Sequence, residues 1–343
     1  PERRRMRRND SQPGGGGGRL KVGIVGAGIS GLAAAHELTR SGNEVVVWER
    51  RDHVGGRMET VELDGYIFDS GATSIAPRGM AIEDVMLHQL DTSDLIHVTK
   101  PIYTHEALRV IPGDSSRDTP RYTYRTGNEE LPRLLTKNLD VRVSVQIEEI
   151  SRNGHGYIVL DHLFEALVLT APLPLSSVLL WTVHESRPVT NATYRPCLSV
   201  MLGFRLPTPN LAYHALLDPE QRHPLTWLCW ESGKSPGRAP EGCCAMVVQM
   251  SPSYSHMQYN KPDDEIVDDV LIYVRRLYGE EFKEPQVSKV RRWKYSQPET
   301  TAQFESVNRA HAKLVLAGDG LTAGRVESAF ESGVKAARLL MGG

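Results

Sequence analysis

The sequence contains no hydrophobic run of the length that a membrane-spanning helix requires. Such a helix needs roughly 18 consecutive apolar residues, and no stretch of the 343 residues approaches that length. The first residues also lack the apolar core of a secretion signal. Neither sign of charge is in excess, because 40 basic residues stand against 42 acidic ones, and this balance gives no field that would collect nucleic acid or anionic lipid. We therefore expect a cytoplasmic protein that binds a small molecule rather than nucleic acid or a membrane.

Cysteine is scarce as well, with four residues at Cys197, Cys229, Cys243 and Cys244. No two of them show the C-x-x-C spacing that is typical of zinc and redox sites, so no metal site is expected. Reduced thiols, the usual state in the cytosol, are the simplest interpretation. A redox pair of Cys243 and Cys244 is the alternative, although the geometry of a disulfide between adjacent residues is strained.

Residues 1–19, PERRRMRRNDSQPGGGGGR, combine a basic run with five successive glycines. Such a segment can bury too little apolar surface to order, so a disordered tail is predicted. A contact of its arginines with nucleic acid, or a targeting role, is the alternative interpretation.

The segment after this tail has the pattern of one strand, one helix and a second strand. LKVGIVGAG is a continuous apolar run, which is typical of a parallel strand covered on both faces. SGLAAAHELTRSG has helical periodicity and closes at Gly42, a residue suited to the end of a helix. EVVVWER is the second apolar run. A unit of this kind, about 30 residues long, is the context in which a glycine fingerprint binds a dinucleotide.

Three glycines of the fingerprint serve separate purposes. Gly26 allows a tight turn, Gly28 a close approach of the backbone to a pyrophosphate, and Gly31 close packing of the helix on the strand. The start of the helix then offers free N–H groups to phosphate oxygens. Glu49, about twenty residues further on, is placed to accept hydrogen bonds from ribose hydroxyls and to repel a 2′-phosphate. These residues predict a dinucleotide site rather than an ordinary glycine turn.

A second glycine pair, in RRDHVGGRMET, lies beyond what a nicotinamide site needs. Gly55 and Gly56 let the chain pass close to a ligand, and Arg57 can fork onto phosphate oxygens. The whole stretch resembles the flavin amine oxidase superfamily, in which the fingerprint, the acid and G-G-R all bind FAD. The resemblance implies FAD as the cofactor. It also implies non-covalent binding, because the closing motif of the chain contains no cysteine.

Later segments predict further strands and helices. Residues 139–150, LDVRVSVQIEEI, alternate like a strand, and residues 163–174, LFEALVLTAPLP, predict a strand closed by two prolines. CLSVMLGFRL and CCAMVVQMS predict strands of a separate sheet, and DDEIVDDVLIYVRRLYG predicts an amphipathic helix. The last segment, KLVLAGDGLTAGRVESAFESGVKAARLLM, again predicts a strand, a glycine loop and a helix.

These elements predict an α/β fold, and the resemblance implies a Rossmann-like FAD-binding domain of the GR2 type with an inserted mixed-sheet α+β substrate domain. We assign residues 20–75, 130–180 and 290–343 to the FAD-binding domain. Residues 76–129 and 181–289 then form the substrate domain.

The resemblance implies a role for each residue that matches a family motif. Asp319 in LAGDGLTAGR contacts the ribityl chain, and the Val326 amide lies near the pyrimidine end of the flavin. Ile147 matches the strand position whose backbone contacts adenine, and DSGAT, residues 69–73, matches the loop that touches the flavin ring. The residues implied to bind FAD are Gly26, Gly28, Ile29, Ser30, Gly31, Glu49, Arg50, Gly56, Arg57, Met58, Gly71, Ala72, Thr73, Ile147, Asp319, Arg325, Val326 and Ser328.

Within the superfamily, GGRMET, VLTAPLP and RRWKYSQPE resemble renalase and its bacterial relatives. This likeness implies oxidation of dihydronicotinamide isomers, with hydride passing to FAD and electrons then to O₂, which yields H₂O₂. Trp293 and Tyr295 are expected to position the substrate, because aromatic faces stack planar rings. Thr73 and Ser74 stand where renalase-like chains carry a glutamine or another large polar residue, so the substrate of this chain can differ.

The alternatives come from other members of the superfamily. Amine oxidases carry a lysine near the start of a substrate-domain strand, where this chain has Ser199 or a neighbour in PCLSVMLGF. A flavin amine oxidase or a desaturase acting on another small substrate is therefore the second hypothesis. A flavin-binding protein without turnover is the third.

Overall fold

The predicted strand, helix and strand open the described part of the chain. The computed structural model describes residues 19–113 and 119–342, so the predicted disordered tail lies outside the described residues except for Arg19. Strand β1 (Lys21–Val25), helix α1 (Ile29–Arg40) and strand β2 (Glu44–Trp48) follow, and β1 pairs with β2 in parallel. Gly42, with φ +85°, lies just beyond the helix. The predicted unit is confirmed.

Five strands form a parallel sheet in the order β19, β13, β1, β2, β9. Its later members are β9 (Asp140–Arg142), β13 (Ala166–Leu169) and β19 (Leu314–Leu316). Helix α9 (Val326–Leu340) packs on α1 so closely that a Cβ added to Gly333 would lie 2.0 Å from Ser30 O. Because β1 has parallel neighbours on both sides, a crevice opens at its carboxyl end, where open α/β sheets bind ligands.

A second, mixed sheet has the order β18, β14, β17, β16, β15, β6, β7. Strand β15 pairs with β6 in parallel, and the other neighbours are antiparallel. Together with the parallel sheet it confirms the predicted fold class. Its strands are β6 (Ile102–Glu106), β7 (Arg109–Ile111), β14 (Thr193–Phe204), β15 (Ala215–Leu217), β16 (Leu225–Trp230), β17 (Cys244–Met250) and β18 (Val287–Thr300).

Small ribbons and helices complete the described part. The ribbons are β3 (Thr60–Leu63) with β4 (Tyr66–Asp69), β5 (Leu95–His97) with β8 (Tyr122–Tyr124), and β10 (Ser151–Asn153), β11 (Gly156–Val159) and β12 (His162–Phe164). The helices are α2 (Met80–Asp84), α3 (Glu130–Leu135), α4 (Leu173–Thr182), α5 (Glu231–Lys234), α6 (Pro252–Gln258), α7 (Asp263–Tyr278) and α8 (Phe304–Val307), with single turns at Gly56–Met58, Val85–Gln89, Val189–Asn191, Glu280–Lys283 and Asp319–Leu321.

Helix α7 confirms the predicted amphipathic helix and forms one side of the second core. Its apolar face buries Ile266, Val270 and Val274 against the mixed sheet. Three acids open the helix and two arginines close it, so the charges complement the helix dipole at both ends. None of the described helices combines the length and the apolar character that crossing a bilayer requires.

Two predicted strands differ from those observed. Of residues 139–150 only β9 is in the sheet; the remainder forms no ladder, includes Ser144 at φ +57°, and is tied to the residue after β2 by Val145 N donating to Glu49 O over 2.8 Å. Residues 163–174 contain the end of β12, then β13, and the start of α4. Pro172 and Pro174 begin this helix rather than only closing a strand, because proline is tolerated in a first helical turn.

The domain boundary predicted at residue 290 lies inside β18. This strand is continuous from Val287 to Thr300 and pairs with β14 along its length, so residues 290–300 belong to the mixed sheet. The RRWKYSQPE segment therefore reaches the predicted cofactor region from the substrate side.

Candidate active site

A cavity of about 1080 Å³ lies at the carboxyl ends of β1 and β2 and extends to β18 of the mixed sheet. It is as large as the upper range of small-molecule sites. Its wall combines the fingerprint turn, the second glycine pair, β18 and the loop that precedes α9. Both sheets therefore contribute to one site.

The fingerprint turn forms the end of the cavity nearest β1. Gly26 has φ +107° and donates its N–H to Trp48 O over 2.8 Å. A Cβ at Gly31 would lie 2.0 Å from Gly26 O, whereas a Cβ at Gly28 would meet nothing within 4 Å. Gly31 is thus required for packing, and Gly28 faces open space in the cavity.

The start of α1 offers unused donors to this space. Gly28 precedes the helix and has no side chain that could cap it. The Ser30 hydroxyl is buried and has no partner within the described residues. A helix start with free N–H groups attracts phosphate, so this end of the cavity fits the pyrophosphate of a dinucleotide.

Glu49 is held at the cavity wall by the backbone. Its Oε2 accepts from Ala27 N and its Oε1 from Arg51 N, both over 3.0 Å. Only 8% of the residue is exposed. Each carboxylate oxygen keeps a further lone pair, so the side chain can still accept from a ribose.

The second glycine pair lies against the first. Gly55, with φ +104°, donates to Ala27 O over 2.9 Å, and Gly56 has φ +58°. Arg57 follows, but its guanidinium forks onto Asp319, with N–O distances of 2.6 and 2.8 Å. Although burial alone would lower the pKa of Arg57, Asp319 raises it above its ordinary value. The fork that the sequence predicted for phosphate is occupied by a carboxylate.

The closing motif brings a second helix start to the cavity. Asp319 is buried beside Gly318, whose φ is +132°. Helix α9 begins at Val326, and Arg325 before it makes no side-chain cap. The helix therefore presents free N–H groups and a partial positive charge to the cavity.

The two predicted aromatic residues of β18 differ in exposure. Trp293 is 6% exposed and donates its indole N–H to Ser70 O over 3.0 Å. The guanidinium carbons of Arg291 and Arg51 lie 4.5 and 5.4 Å from its ring centroid. Tyr295 is half-buried, and its ring lies 5.7 Å from that of Tyr194 in an edge arrangement. Tyr295 thus offers more surface to a substrate than Trp293.

The sequence pattern described as "Flavin containing amine oxidoreductase" matches residues 91–341. The chain belongs to this family. A pattern for an NAD(P)-binding Rossmann-like domain matches residues 24–87. The protein is therefore a flavin-dependent oxidoreductase, and the fit of both helix starts and both glycine pairs to a dinucleotide agrees with that assignment.

Solved structures of flavoenzymes share its fold. Cyclohexylamine oxidase from Brevibacterium oxydans IH-35A superimposes with a TM-score of 0.73 at 15% identity, over 94% of this chain and 99% of that one. An oxidoreductase from Methanosarcina mazei gives 0.72 at 14% identity, over 93% and 100%. The 4,4'-diapophytoene desaturase of Staphylococcus aureus strain Newman is 43% identical over 56 residues. That match spans 16% of this chain and 11% of the desaturase.

In this member of the amine oxidoreductase family, Ser199 is fully buried and its hydroxyl has no partner among the described residues. Directly across the sheet lies Gln249, which lines the cavity and donates its Nε2 to Gly71 O over 2.7 Å. Ser199 and Gln249 are both neutral, and on its other side Ser199 pairs with Arg291 of β18.

Most of the charged residues that line the cavity are basic. Seven basic side chains stand against three acidic ones, Glu49, Glu148 and Asp319. The basic residues are Arg50, Arg51, Arg57, Arg291, Arg292, Lys294 and Arg325. Five of the seven lie within ion-pair distance of a carboxylate: Arg57 of Asp319, Arg51 and Arg291 of Glu59, Arg292 of Asp263, and Arg325 of Glu327. Arg50 and Lys294 have no carboxylate partner in the described chain, and the remaining positive charge favours an anionic occupant.

Most residues predicted from sequence line this cavity, and three do not. Gly31 packs behind the fingerprint turn, the Thr73 carbonyl accepts from Lys234, and the Ser328 carbonyl accepts from Thr322. Those that line it are Gly26, Gly28, Ile29, Ser30, Glu49, Arg50, Gly56, Arg57, Met58, Gly71, Ala72, Ile147, Trp293, Tyr295, Asp319, Arg325 and Val326. Ile147 does so from the extended segment after β9 rather than from a strand.

Sequence reasoning missed a buried ionic cluster behind the loop of residues 69–73. Lys234 and Arg238 bond Asp69 over 2.7 and 2.9 Å, both also bond Glu231, and all four side chains have no exposed surface. Burial alone would raise the pKa of Asp69, but Arg238 and Lys234 lower it to about 2. Burial raises the pKa of Glu231 to about 7. Only Asp69 lay in a recognised motif, so no local signal identified its partners.

Proposed function

We propose that the chain binds FAD non-covalently in this cavity and oxidises a small, planar, electron-rich donor that carries negative charge, such as a dihydronicotinamide isomer. Bound FAD would supply the hydride acceptor for this oxidation, and O₂ would be the oxidant that regenerates it and is reduced to H₂O₂. None of the four cysteines lines the cavity, which supports non-covalent binding.

Cofactor binding follows from the backbone at both ends of the cavity. The free starts of α1 and α9 offer N–H donors, and Glu49 offers an acceptor for ribose hydroxyls. The start of α9 also supplies positive potential, which stabilises negative charge that develops nearby. These are the contacts that the family resemblance implied for the pyrophosphate, the ribose and the flavin ring.

The basic lining is the observation that favours an anionic donor over an amine. An amine substrate is a cation before oxidation, and seven basic side chains disfavour it. The neutral Ser199 and Gln249 pair points in the same direction, because neither is a cationic group that could relay a proton. A dihydropyridine needs no such group, since the lone pair of its ring nitrogen expels the hydride.

Tyr295 lines the cavity and supplies surface for a planar donor. Aromatic rings stack on flat partners in defined geometry, and hydride transfer requires the reacting atoms about 3 to 3.5 Å apart. The Tyr295 hydroxyl can orient the donor's polar groups. A cytoplasmic location is part of this proposal, because all four cysteines are free thiols.

Anaerobic stopped-flow mixing of the FAD-loaded protein with dihydronicotinamide isomers and with simple amines tests the proposal. We expect flavin bleaching within seconds by at least one dihydronicotinamide and none by the amines, followed by H₂O₂ formation when O₂ is admitted. Fast bleaching by an amine with none by any dihydronicotinamide would reverse the assignment in favour of an amine oxidase.

A further inference from the structure

The backbone carbonyls of the loop of residues 70–73 are all hydrogen-bonded by side chains from other parts of the chain. Each of its four carbonyl oxygens accepts a hydrogen bond from a different side chain. Trp293 donates to Ser70 O over 3.0 Å, Gln249 to Gly71 O over 2.7 Å, Asn128 to Ala72 O over 2.8 Å and Lys234 to Thr73 O over 2.6 Å.

The four donors come from four separate parts of the chain. Trp293 is on β18, Gln249 on β17, Lys234 on α5, and Asn128 lies just before α3. Buried carbonyls need donors, and most loops find them in their own backbone or in water. Here tertiary contacts supply them, so the position of the loop depends on how these elements sit.

Two of the donors, Asn128 and Lys234, are held in place by buried contacts. Asn128 is fully buried, and its own N–H donates to Asp69 over 2.7 Å. Lys234 is fixed by the ionic cluster with Asp69 and Glu231. This side of the loop is therefore tied to a network without solvent access.

The other two donors, Trp293 and Gln249, line the cavity. Trp293 is almost fully buried, and the guanidinium groups of Arg51 and Arg291 lie close to its ring. Gln249 is half-buried, and it lies opposite Ser199, whose hydroxyl has no partner within the described chain. Of the four donors, Gln249 therefore combines a bond to the loop with surface that a substrate can reach.

We propose that Gln249 is a positioning residue that couples the substrate-binding face of the mixed sheet to the loop of residues 70–73. This rests on the proposed binding of FAD in the cavity, where Gly71 and Ala72 form the wall. Through Gly71 O the glutamine sets where the loop backbone meets the flavin ring. The placement of the ring relative to the donor then depends on one side-chain amide.

Two substitutions of Gln249 and one matched control test this role. Gln249→Met keeps the length of the side chain but removes the donor. Gln249→Glu also removes it and adds a charge. Gln297→Glu is the control, because Gln297 lines the same cavity and binds Arg195 but not the loop. Each protein is purified with FAD bound, and its visible absorption spectrum, midpoint potential and anaerobic reduction rate are measured.

Both glutamate variants should lower the midpoint potential, since each adds negative charge near the flavin. Only the two Gln249 variants should shift the visible bands of the flavin. They should also slow the limiting rate of flavin reduction on the order of tenfold to a hundredfold, because small misplacements of reacting groups cost rates of that size. The FAD dissociation constant should stay within threefold of wild type, roughly 0.7 kcal/mol or less.

Wild-type spectra and reduction rates in both Gln249 variants would overturn this inference while leaving FAD binding in place. So would equal band shifts in Gln249→Glu and Gln297→Glu with none in Gln249→Met. A wild-type protein that takes up no FAD would overturn the proposed function, and this inference with it.

Discussion

The guanidinium of Arg57 and the carboxylate of Asp319 form a two-pronged ion pair, although 262 residues separate them in the chain. Arg57 also donates to the carbonyls of Tyr295 and Ser296. One side chain thus joins the second glycine pair, β18 and the closing motif. The two halves of the site are fastened together before any ligand contributes.

Asp319→Asn should destabilise the protein without its ligand. Arg57 would lose its charged partner. Because 31% of its side chain is exposed to water, we expect the free energy of unfolding to fall by about 3 kcal/mol, the lower end of the range for a broken buried pair. Urea denaturation of Asp319→Asn, of Arg57→Met and of the variant that carries both substitutions gives the coupling energy between the two residues. Additive single effects would show that the pair contributes nothing.

Glu49→Ala should weaken FAD binding on the order of tenfold to a hundredfold. The carboxylate is expected to accept charge-assisted bonds from the ribose, worth roughly 1.5 to 3 kcal/mol. Glu49 also holds Ala27 and Arg51, so Glu49→Gln, which keeps one oxygen acceptor, separates local folding from ligand contact. Fluorescence titration with FAD measures both. Unchanged affinity in Glu49→Ala would place the ribose elsewhere.

Tyr295→Leu and Trp293→Phe should have different effects. Tyr295 is half-buried at the cavity, so its loss should slow flavin reduction by the proposed donor and leave the melting temperature near that of wild type. Trp293→Phe removes the donor to Ser70 O, which leaves a buried carbonyl unpaired at a cost of about 1 to 3 kcal/mol. Thermal unfolding and stopped-flow reduction are measured on both. If only Tyr295→Leu lost stability, Tyr295 rather than Trp293 would be the residue that supports the fold.

His214 should make the protein sensitive to acid. Burial lowers its pKa to about 4 from the usual 6.5. As the pH falls from 6.5 to 4, the unfolded chain binds a proton that the folded chain excludes, so stability is lost over that range, by up to about 3 kcal/mol. His214→Asn can still donate to Lys100 O, the bond that His214 makes over 2.6 Å, and should flatten the dependence.

Denaturant unfolding at pH 7, 5.5 and 4.5 checks this expectation. His256→Asn is the matched control, because His256 is exposed. The same loss of stability on acidification in His214→Asn and in wild type would contradict the role of His214.

The parts of the site that could be predicted are those carried by local sequence. A glycine at a tight turn and an acid at the end of a strand each have a short-range cause, and Gly26 and Glu49 were expected on that basis, whereas the role of Asp319 was implied by the family resemblance. The partners of these residues depend on tertiary structure. Arg57 was expected to meet phosphate but meets Asp319, and Lys234 gives no sign in sequence that it reaches the Thr73 carbonyl.

Periodicity misled in residues 143–150. The buried Ile147 and Ile150 lie three residues apart rather than two, Ser144 has φ +57°, and none of the described strands pairs with this segment. The spacing of β18 carries a signal for Arg291. Arg291 and Trp293 are two residues apart on this strand, and the guanidinium carbon of Arg291 lies 4.5 Å from the ring centroid of Trp293, so strand spacing would have identified Arg291 beside the aromatic residue.

The order of strands in the parallel sheet has a consequence for biosynthesis. β1 is made before β19, yet both belong to one sheet, on either side of β13. A nascent chain that has not yet released β19 and α9 from the ribosome lacks Asp319 and the second helix start, so its cavity is incomplete. Cofactor loading must therefore follow the release of α9 from the ribosome, and chains stalled before residue 314 should emerge without flavin.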